Sequence, residues 1–310
     1  MSGIDLVAGG SGFIGSHVVD GLLAAGRKVR VLDDLSTGYA TNLADMDCEV
    51  ITASAADPEA ALAACDSVER IFHLAARPSV PWSFEFPEAA EIANLGTTRS
   101  LIAAAKAQGV RRMVFSSSSA IYGDAPELPK TEDMAPAPMS PYAEHKLAGE
   151  HALAAAAADF GRESVSLRYF NVFGPRQDPS SPYSGVISLM VRWLEEGEAP
   201  TFFGDGLQTR DFVYAADVVQ ANLKAAAAVL PSPARVINVA CGTRITLLEL
   251  WKTLCRVAGV PSPEPEFLEA RVGDVRHSQA DITRAVEELG FQPQFSLEQG
   301  LARMLDPKTV

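Results

Sequence analysis

The chain has few cysteines, and those it has are scattered. Cys48, Cys65, Cys241 and Cys255 show no CxxC spacing, which argues against a zinc site or a disulfide framework and leaves buried reduced thiols as the expectation. Positive charge is also short. Lys and Arg number 26 against 39 Asp and Glu, a formal net charge of −13, with a pI near 4.9. The basic footprint of a nucleic-acid binder is therefore missing. No long apolar run and no charged leader precede the strand-like IDLV, so neither a signal peptide nor a membrane span is expected, and a cytoplasmic location follows. No internal repeat is found.

What is present is a 310-residue chain with 47% hydrophobic content, long enough to bury a sizeable core as one large domain or two unequal lobes. A soluble globular enzyme is the natural expectation. In so acidic a chain an anionic substrate must be held by a few local cations, which directs attention to single arginines such as Arg210 and Arg271.

Short apolar runs alternate with alanine-rich helical stretches through the first half. Ile4 to Val7, a helix to Gly26, Val29 to Leu32, Arg70 to Leu74 and Met113 to Phe115 read as repeated βα units on a buried parallel sheet. Ala90 to Ala107 and Tyr142 to Ala158 are long enough for crossover helices, with Gly26 and Gly161 at helix C-terminal positions. The alanine runs at 154–158 and 225–228 fall inside helical periodicity and suit close packing. From Asn171 onward, glycine and proline clusters (GPRQDPSSPYSG, PSPEPEF) break the rhythm. The fold expected is α/β: a Rossmann-type doubly wound parallel sheet over residues 1–171 plus roughly 212–241. A smaller, ligand-closing C-terminal lobe would take 172–211 and 242–310.

After the first strand comes GGSGFIGSH, which places Gly9, Gly12 and Gly15 where a helix opens. Such glycines allow a tight turn and the approach of backbone amides to a pyrophosphate, helped by the helix dipole. The motif follows a strand and precedes a second strand ending in Asp33, near the distance at which an acid takes ribose hydroxyls. Asp33 and Asp34 would repel a 2′-phosphate, so NAD is favoured over NADP. For either acid singly, a plain turn before Leu35 is the alternative.

The strand MVFSSSSAIYG ends in a serine cluster, with Ser116 and Ser117 expected in the strand itself. Beyond it, SPYAEHK sets Tyr142 and Lys146 four residues apart. On a helix that spacing puts both on one face. A neighbouring ammonium and a nicotinamide cation would both favour the phenolate and lower the tyrosine pKa toward a useful base.

With these motifs the chain resembles the extended short-chain dehydrogenase/reductase family, and within it the UDP-glucose and UDP-N-acetylglucosamine 4-epimerases. The resemblance runs nearly end to end, through GGSGFIGSH, SSSSAIYGD, SPYAEHK, LRYFNVFGPRQDP, GDGLQTRDFVYAADV and RVGDVRHSQADI. It implies Tyr142 as acid/base, Lys146 as the residue that orients the cofactor ribose and tunes the tyrosine, and Ser118 as hydrogen-bond partner of the reacting oxygen. Ser119 is the less favoured neighbour. It also implies NAD contacts at Phe13, Ile14, Ser36, Leu74, Ala75, Ala76, Asn94 and Tyr169, beside the glycines and aspartates above. For a UDP-sugar it implies Ser119, Asn171, Val186, Thr201, Phe203, Arg210, Arg271, Asp274 and Ser278. Guanidinium forks suit phosphate oxygens. Tyr169 and Phe170 could wall the sugar and nicotinamide, or be ordinary core.

Family dehydratases carry an Asp-Glu pair where this chain has Ser119 and Ala120, and decarboxylases a glutamate near Ala120. The minimal constellation fits epimerisation, which needs only oxidation at C4, rotation of the keto sugar and hydride return. Glucose-restricted relatives have a tyrosine where Ser278 stands, so room for a 2-acetamido group is expected. Hexuronate 4-epimerases are the runner-up, but they place an arginine after GPRQ, where this chain has Asp178. A non-catalytic NAD-sensing protein is the alternative from another class. Departures from the pattern are Ala53 and Ser54 in place of Gly-Asp, Thr97 after Asn94, and Arg77 after LAA, which the sequence does not explain. The resemblance further implies a homodimer through helices at about Pro87 to Ala107 and Ser140 to Ala158, whose alanine-rich faces suit close packing.

Overall fold

A computed structural model describes residues 3–178, 185–270 and 275–306. In chain order the strands are β1 (Ile4–Ala8), β2 (Lys28–Asp33), β3 (Glu49–Thr52), β4 (Val68–His73), β5 (Arg112–Ser118), β6 (Glu163–Tyr169), β7 (Val172–Phe173), β8 (Thr201–Phe203), β9 (Thr209–Arg210), β10 (Val213–Tyr214), β11 (Ala234–Val239), β12 (Ile245–Thr246) and β13 (Glu266–Leu268). Seven of them form one sheet, ordered β11-β6-β5-β4-β1-β2-β3 with every neighbouring pair parallel. The chain leaves β1 toward β2 on one side and later returns to β4 on the other. Strand order reverses there, and a ligand crevice opens at the carboxyl ends of strands on either side of such a point.

Period-two alternation splits the sheet core into two layers. Val7 and Val31 join a cluster with Val18, Val19 and Leu22 of α1 (Phe13–Ala24). Leu6, Ala8 and Leu32 face the opposite way, onto Ala61 of α2 (Pro58–Ala64), Leu101 and Leu153. A strand buried on both faces must be apolar at nearly every position, which explains the continuous runs in the sequence. Expected strand limits are met to within a few residues, while β3, with no fully buried residue, gives no such run.

Helix α3 (Val80–Glu85) and α4 (Pro87–Glu91) lead through a π turn (Ile92–Gly96) into α5 (Thr97–Gln108). The expected helix at Ala90 to Ala107 is therefore longer and interrupted. Asn94 Nδ2 donates to the Ala90 carbonyl, and the Thr97 and Thr98 hydroxyls both donate to the Asn94 carbonyl, side-chain bonds that compete with the regular backbone ladder. Helix α6 (Pro141–Phe160) begins with proline at its first position and the Ser140 hydroxyl accepting from the Ala143 amide, the ordinary signature of a helix start.

The second half adds α7 (Val186–Glu196), α8 (Ala215–Ala227), α9 (Leu247–Ala258), α10 (Thr283–Leu289) and α11 (Leu297–Leu305). Helix α8 packs its Val218, Ala221 and Ala225 on the sheet, whereas Phe173, Met190, Phe202, Leu250, Trp251 and Leu301 build a separate apolar cluster. Three two-stranded pairs, β7 with β10, β8 with β13 and β9 with β12, knit the loops here. Among the described residues no helix is long and apolar enough to cross a membrane and no group of residues could hold a metal. Cys65 and Cys255 are buried as expected, but Cys48 and Cys241 are only half-buried.

Candidate active site

A cleft of about 1450 Å³ runs along the carboxyl ends of the sheet strands, larger than the roughly 300–1,000 Å³ that takes one drug-sized ligand. At one end the glycine loop joins β1 to α1. Gly9 has φ +83°, and a Cβ there would lie 2.5 Å from the Ala75 amide nitrogen. One on Gly15 would lie 1.9 Å from the Gly9 carbonyl oxygen. Side chains are thus shut out at both places. Gly12 is the N-cap of α1 and no side chain caps the helix, so its first-turn amides and the positive dipole end face the cleft. That is a fit for a pyrophosphate.

Asp33 closes β2. One carboxylate oxygen accepts from the Ser11 amide at 2.8 Å, the other from the Leu35 amide at 2.9 Å. Burial raises its pKa while these amides oppose the rise. Asp34 is exposed and accepts from the Ser36 amide, so the acids both build the turn and line the cleft. The sequence alternatives of turn-former and ligand-facing acid are compatible in one structure.

At the other end Ser118 ends β5, and its hydroxyl accepts from the Ala120 amide at 3.2 Å. Tyr142 and Lys146 lie one turn apart near the start of α6, both buried. The Tyr142 amide donates to the Ser83 hydroxyl of α3. Lys146 Nζ lies 4.9 Å from the Phe115 ring centroid and 5.9 Å from that of Tyr142, and donates to the Ser116 carbonyl at 2.6 Å. Burial pushes the Tyr142 phenol up to about 12, with a Ser118 hydrogen bond opposing. Burial pulls Lys146 down to about 7, with the field of Glu150 opposing. The lowering expected of Tyr142 called for a nicotinamide cation beside the ammonium, and with the protein's own groups burial outweighs the Ser118 hydrogen bond.

Gly9, Gly12, Phe13, Ile14, Gly15, Asp33, Asp34, Ser36, Leu74, Ala75, Ala76 and Tyr169 all line the cleft. So do Ser118, Ser119, Asn171, Val186, Thr201, Phe203, Arg210 and Ser278. Asn94 stands behind the wall, where its Oδ1 accepts from the Arg77 amide. Arg271 and Asp274 lie outside the described residues. Tyr169 is buried, its hydroxyl paired with the Asn222 amide at 2.8 and 3.0 Å. Phe170 is fully buried beside Tyr122, so both aromatics are core residues that also edge the cleft. Asn171 Nδ2 donates to the Asp211 carbonyl, and the Ser278 backbone amide donates to the Thr209 carbonyl.

Arg77 now has a place: its guanidinium stacks 4.3 Å from the Trp82 ring centroid on the cleft wall. Lys130, Gln208 and His277 also line it without a sequence signal. Asp178 accepts from the Tyr39 hydroxyl at 2.6 Å, bridging the segment after β2 to the loop after β7.

Residues 6–240 match the model of the NAD dependent epimerase/dehydratase family. A UDP-glucose 4-epimerase of Mycolicibacterium smegmatis is 40% identical over 97% of each chain. The UDP-N-acetylglucosamine 4-epimerase of Methanobrevibacter ruminantium, solved in complex with UDP-N-acetylmuramic acid, is 36% identical with a TM-score of 0.92 over 98% of this chain and 97% of that one. The UDP-glucose 4-epimerase of Thermotoga maritima with UDP-glucose gives 38% and 0.92 over 97% of each. With its sheet order, glycine cradle and Ser118, Tyr142 and Lys146 on one cleft, the chain belongs to the NAD dependent epimerase/dehydratase family.

Proposed function

We propose that the protein is an NAD-dependent UDP-hexose 4-epimerase. It interconverts UDP-N-acetylglucosamine with UDP-N-acetylgalactosamine, and UDP-glucose with UDP-galactose, through a transient 4-keto sugar. The observation that carries this reading is the convergence of Ser118, Tyr142 and Lys146 on a cleft that also holds the glycine cradle, with Ser119 and Ala120 where an elimination pair would stand. The relatives at 36–40% identity include epimerases of both substrate types.

The residues present fit the cofactor. The open amides at Gly12 and the excluded side chains at Gly9 and Gly15 suit a pyrophosphate, and Asp33 and Asp34 suit an unphosphorylated ribose. Bound NAD supplies the hydride acceptor for C4 and the hydride that returns to its other face. Tyr142 takes the C4 hydroxyl proton as the keto group forms, and gives it back on the opposite approach. Ser118 holds the C4 oxygen in either orientation. Lys146 holds the cofactor ribose and adds positive charge beside the phenol. With its phenol near 12 in the protein alone, Tyr142 needs added positive charge close by to ionise at neutral pH, which ties proton removal to cofactor binding.

Asn171 and Arg210 hold the diphosphate, with Arg271 and Asp274 in the segment outside the described residues. Ser278 leaves room beside C2 of the sugar. Asp178, an acid bonded to Tyr39, offers nothing to a C6 carboxylate, which favours neutral hexoses over hexuronates. The lobe from 172–211 and 242–310 closes on the sugar while 1–171 with 212–241 carries the cofactor. The chain forms a homodimer through the helical segments at about Pro87 to Ala107 and Ser140 to Ala158, where Ile92, exposed at 61%, and the neighbouring Phe84 and Phe86 supply apolar surface. A cytoplasmic location fits four thiols with no disulfide.

Turnover in D₂O tests the chemistry. Hydride return keeps the original hydrogen on C4, so product formed without deuterium at C4 is expected. Deuterium at that carbon would mean proton exchange and overturn the hydride mechanism.

A further inference from the structure

Behind the reacting wall lies a buried ionic cluster that the chemistry above does not use. Glu150 sits one helical turn beyond Lys146 on α6 and is 4% exposed. Its Oε1 accepts from the Ser117 hydroxyl at 2.5 Å and from Arg168 Nε at 2.9 Å, and its Oε2 accepts from Arg168 Nη2 at 2.8 Å. Arg168, on β6, lies over the Tyr122 ring at 4.8 Å, and the Tyr122 hydroxyl donates to Asn238 Oδ1 at 2.7 Å. Glu150 thus grips the strand residue between Ser116, whose carbonyl takes the Lys146 ammonium, and Ser118.

A buried ion pair is weak evidence for stability, since apolar residues of similar volume often serve as well. The placement gives a more specific reason. Lys146 is faced by the Phe115 ring and Ser116 carbonyl from β5, by Tyr142 and Glu150 from its own helix, and by His73 from β4. The Thr98 hydroxyl spends its proton on the Asn94 carbonyl, so it accepts from His73 Nε2, and burial, with Lys146 second, pulls the His73 pKa down to about 3, so the ring adds no positive charge near pH 7. Arg168 across the strand is already matched by Glu150. The Glu150 carboxylate is the anion whose field reaches the ammonium.

We propose that Glu150 is a positioning residue that keeps Lys146 protonated while fixing the Ser116–Ser118 strand end against which the lysine is held. Burial draws Lys146 down to about 7 even with Glu150 opposing it, and Glu150 stands one helical turn away on the same face, so loss of the carboxylate lowers the lysine further. The need for an ammonium there rests on the epimerase reading; the control of its charge by Glu150 does not.

The test uses the NAD-loaded full chain with Glu150→Gln, the pair Glu150→Gln with Arg168→Met, and Glu150→Asp. Lysine-selective ¹³Cε NMR follows the Lys146 titration, with Lys146→Arg to assign the signal. The Lys146 midpoint should fall by about one unit in both Gln variants, and Glu150→Asp should restore most of it. The alkaline limb of kcat should move down by the same amount with KM for the UDP-sugar changed less than about twofold. The paired variant should recover the thermal stability lost in Glu150→Gln, because it leaves no unmatched guanidinium, yet keep the shifted midpoint. Lost thermal stability with an unmoved Lys146 midpoint would reduce Glu150 to a structural counter-ion and overturn the proposal. An inactive wild type would speak against the epimerase reading alone, since the NMR midpoint does not depend on turnover.

Discussion

Single substitutions at Tyr142 and Ser278 separate the chemistry from the choice of sugar. Tyr142→Phe removes the proton acceptor and little volume, so kcat should drop by about 10²–10⁴-fold while NAD stays bound, checked by turnover beside cofactor release on denaturation. Ser278→Tyr should fill the space beside C2 and lower kcat/KM for UDP-N-acetylglucosamine relative to UDP-glucose. A steric contact of about 1–3 kcal/mol corresponds to roughly 10–200-fold, read from competing substrates in one tube. Tyr142 and Lys146 were legible because a spacing of four on a helix has one geometric meaning. Glu150 repeats that spacing, but no motif singles it out, and only the arrival of Arg168 from β6 shows it to be buried. Arg77 was visible as an oddity, yet its ring partner Trp82 lies on the next helix, a relation that no periodicity encodes.

Two elements set the site. The glycine loop tolerates no Cβ at Gly15, where it would meet the Gly9 carbonyl at 1.9 Å. Gly15→Ala should therefore displace the cradle and weaken NAD binding at least tenfold, measured by titration into cofactor-stripped protein. The second is the stitch made by Asp211, whose carboxylate accepts from the Cys241, Gly242 and Ala280 amides at 2.9, 3.0 and 3.2 Å. It ties the loop after β11 to the segment carrying Ser278. Asp211→Ala strands three amides and should cost about 3 kcal/mol of stability, with a raised KM for the UDP-sugar. Urea unfolding and initial-rate kinetics would check both. The alternating βα rhythm announced the sheet strands and α6, whereas the π turn depends on the side chains of Asn94, Thr97 and Thr98 bonding to the backbone. The glycine- and proline-rich second half announced loops, but pairs such as β8 with β13 join residues more than sixty apart, and their composition does not name a partner.

For the molecule as a whole, the switch of strand order at β1 places the cradle beside the strand-end serine, and two apolar layers cover the faces of that sheet. Stability should depend on acid through His73 at its centre. Burial first, and Lys146 second, lower its pKa to about 3 from 6.5. Below about pH 6.5 the unfolded state therefore binds a proton that the folded state refuses. That contribution to stability is full above pH 6.5 and is lost as the pH falls toward 3, by about 1.4 kcal/mol per unit at most. Unfolding midpoints between pH 7 and 4 should show a shallower slope in His73→Gln than in the wild type. Fold class and cleft were readable from the first half because buried parallel strands must be apolar throughout. The packing of the second half was not, because it rests on contacts such as the Ala280 amide to Asp211 that form only in three dimensions.

Inversion at C4 of a UDP-hexose can be watched directly. An NMR time course of the purified protein with UDP-N-acetylglucosamine and, separately, UDP-glucose would follow the anomeric protons. UDP-N-acetylgalactosamine and UDP-galactose should appear. Conversion of neither, with NAD bound and UDP-glucuronate turned over instead, would contradict the proposed function. Silence toward all three would return the chain to a cofactor-binding role.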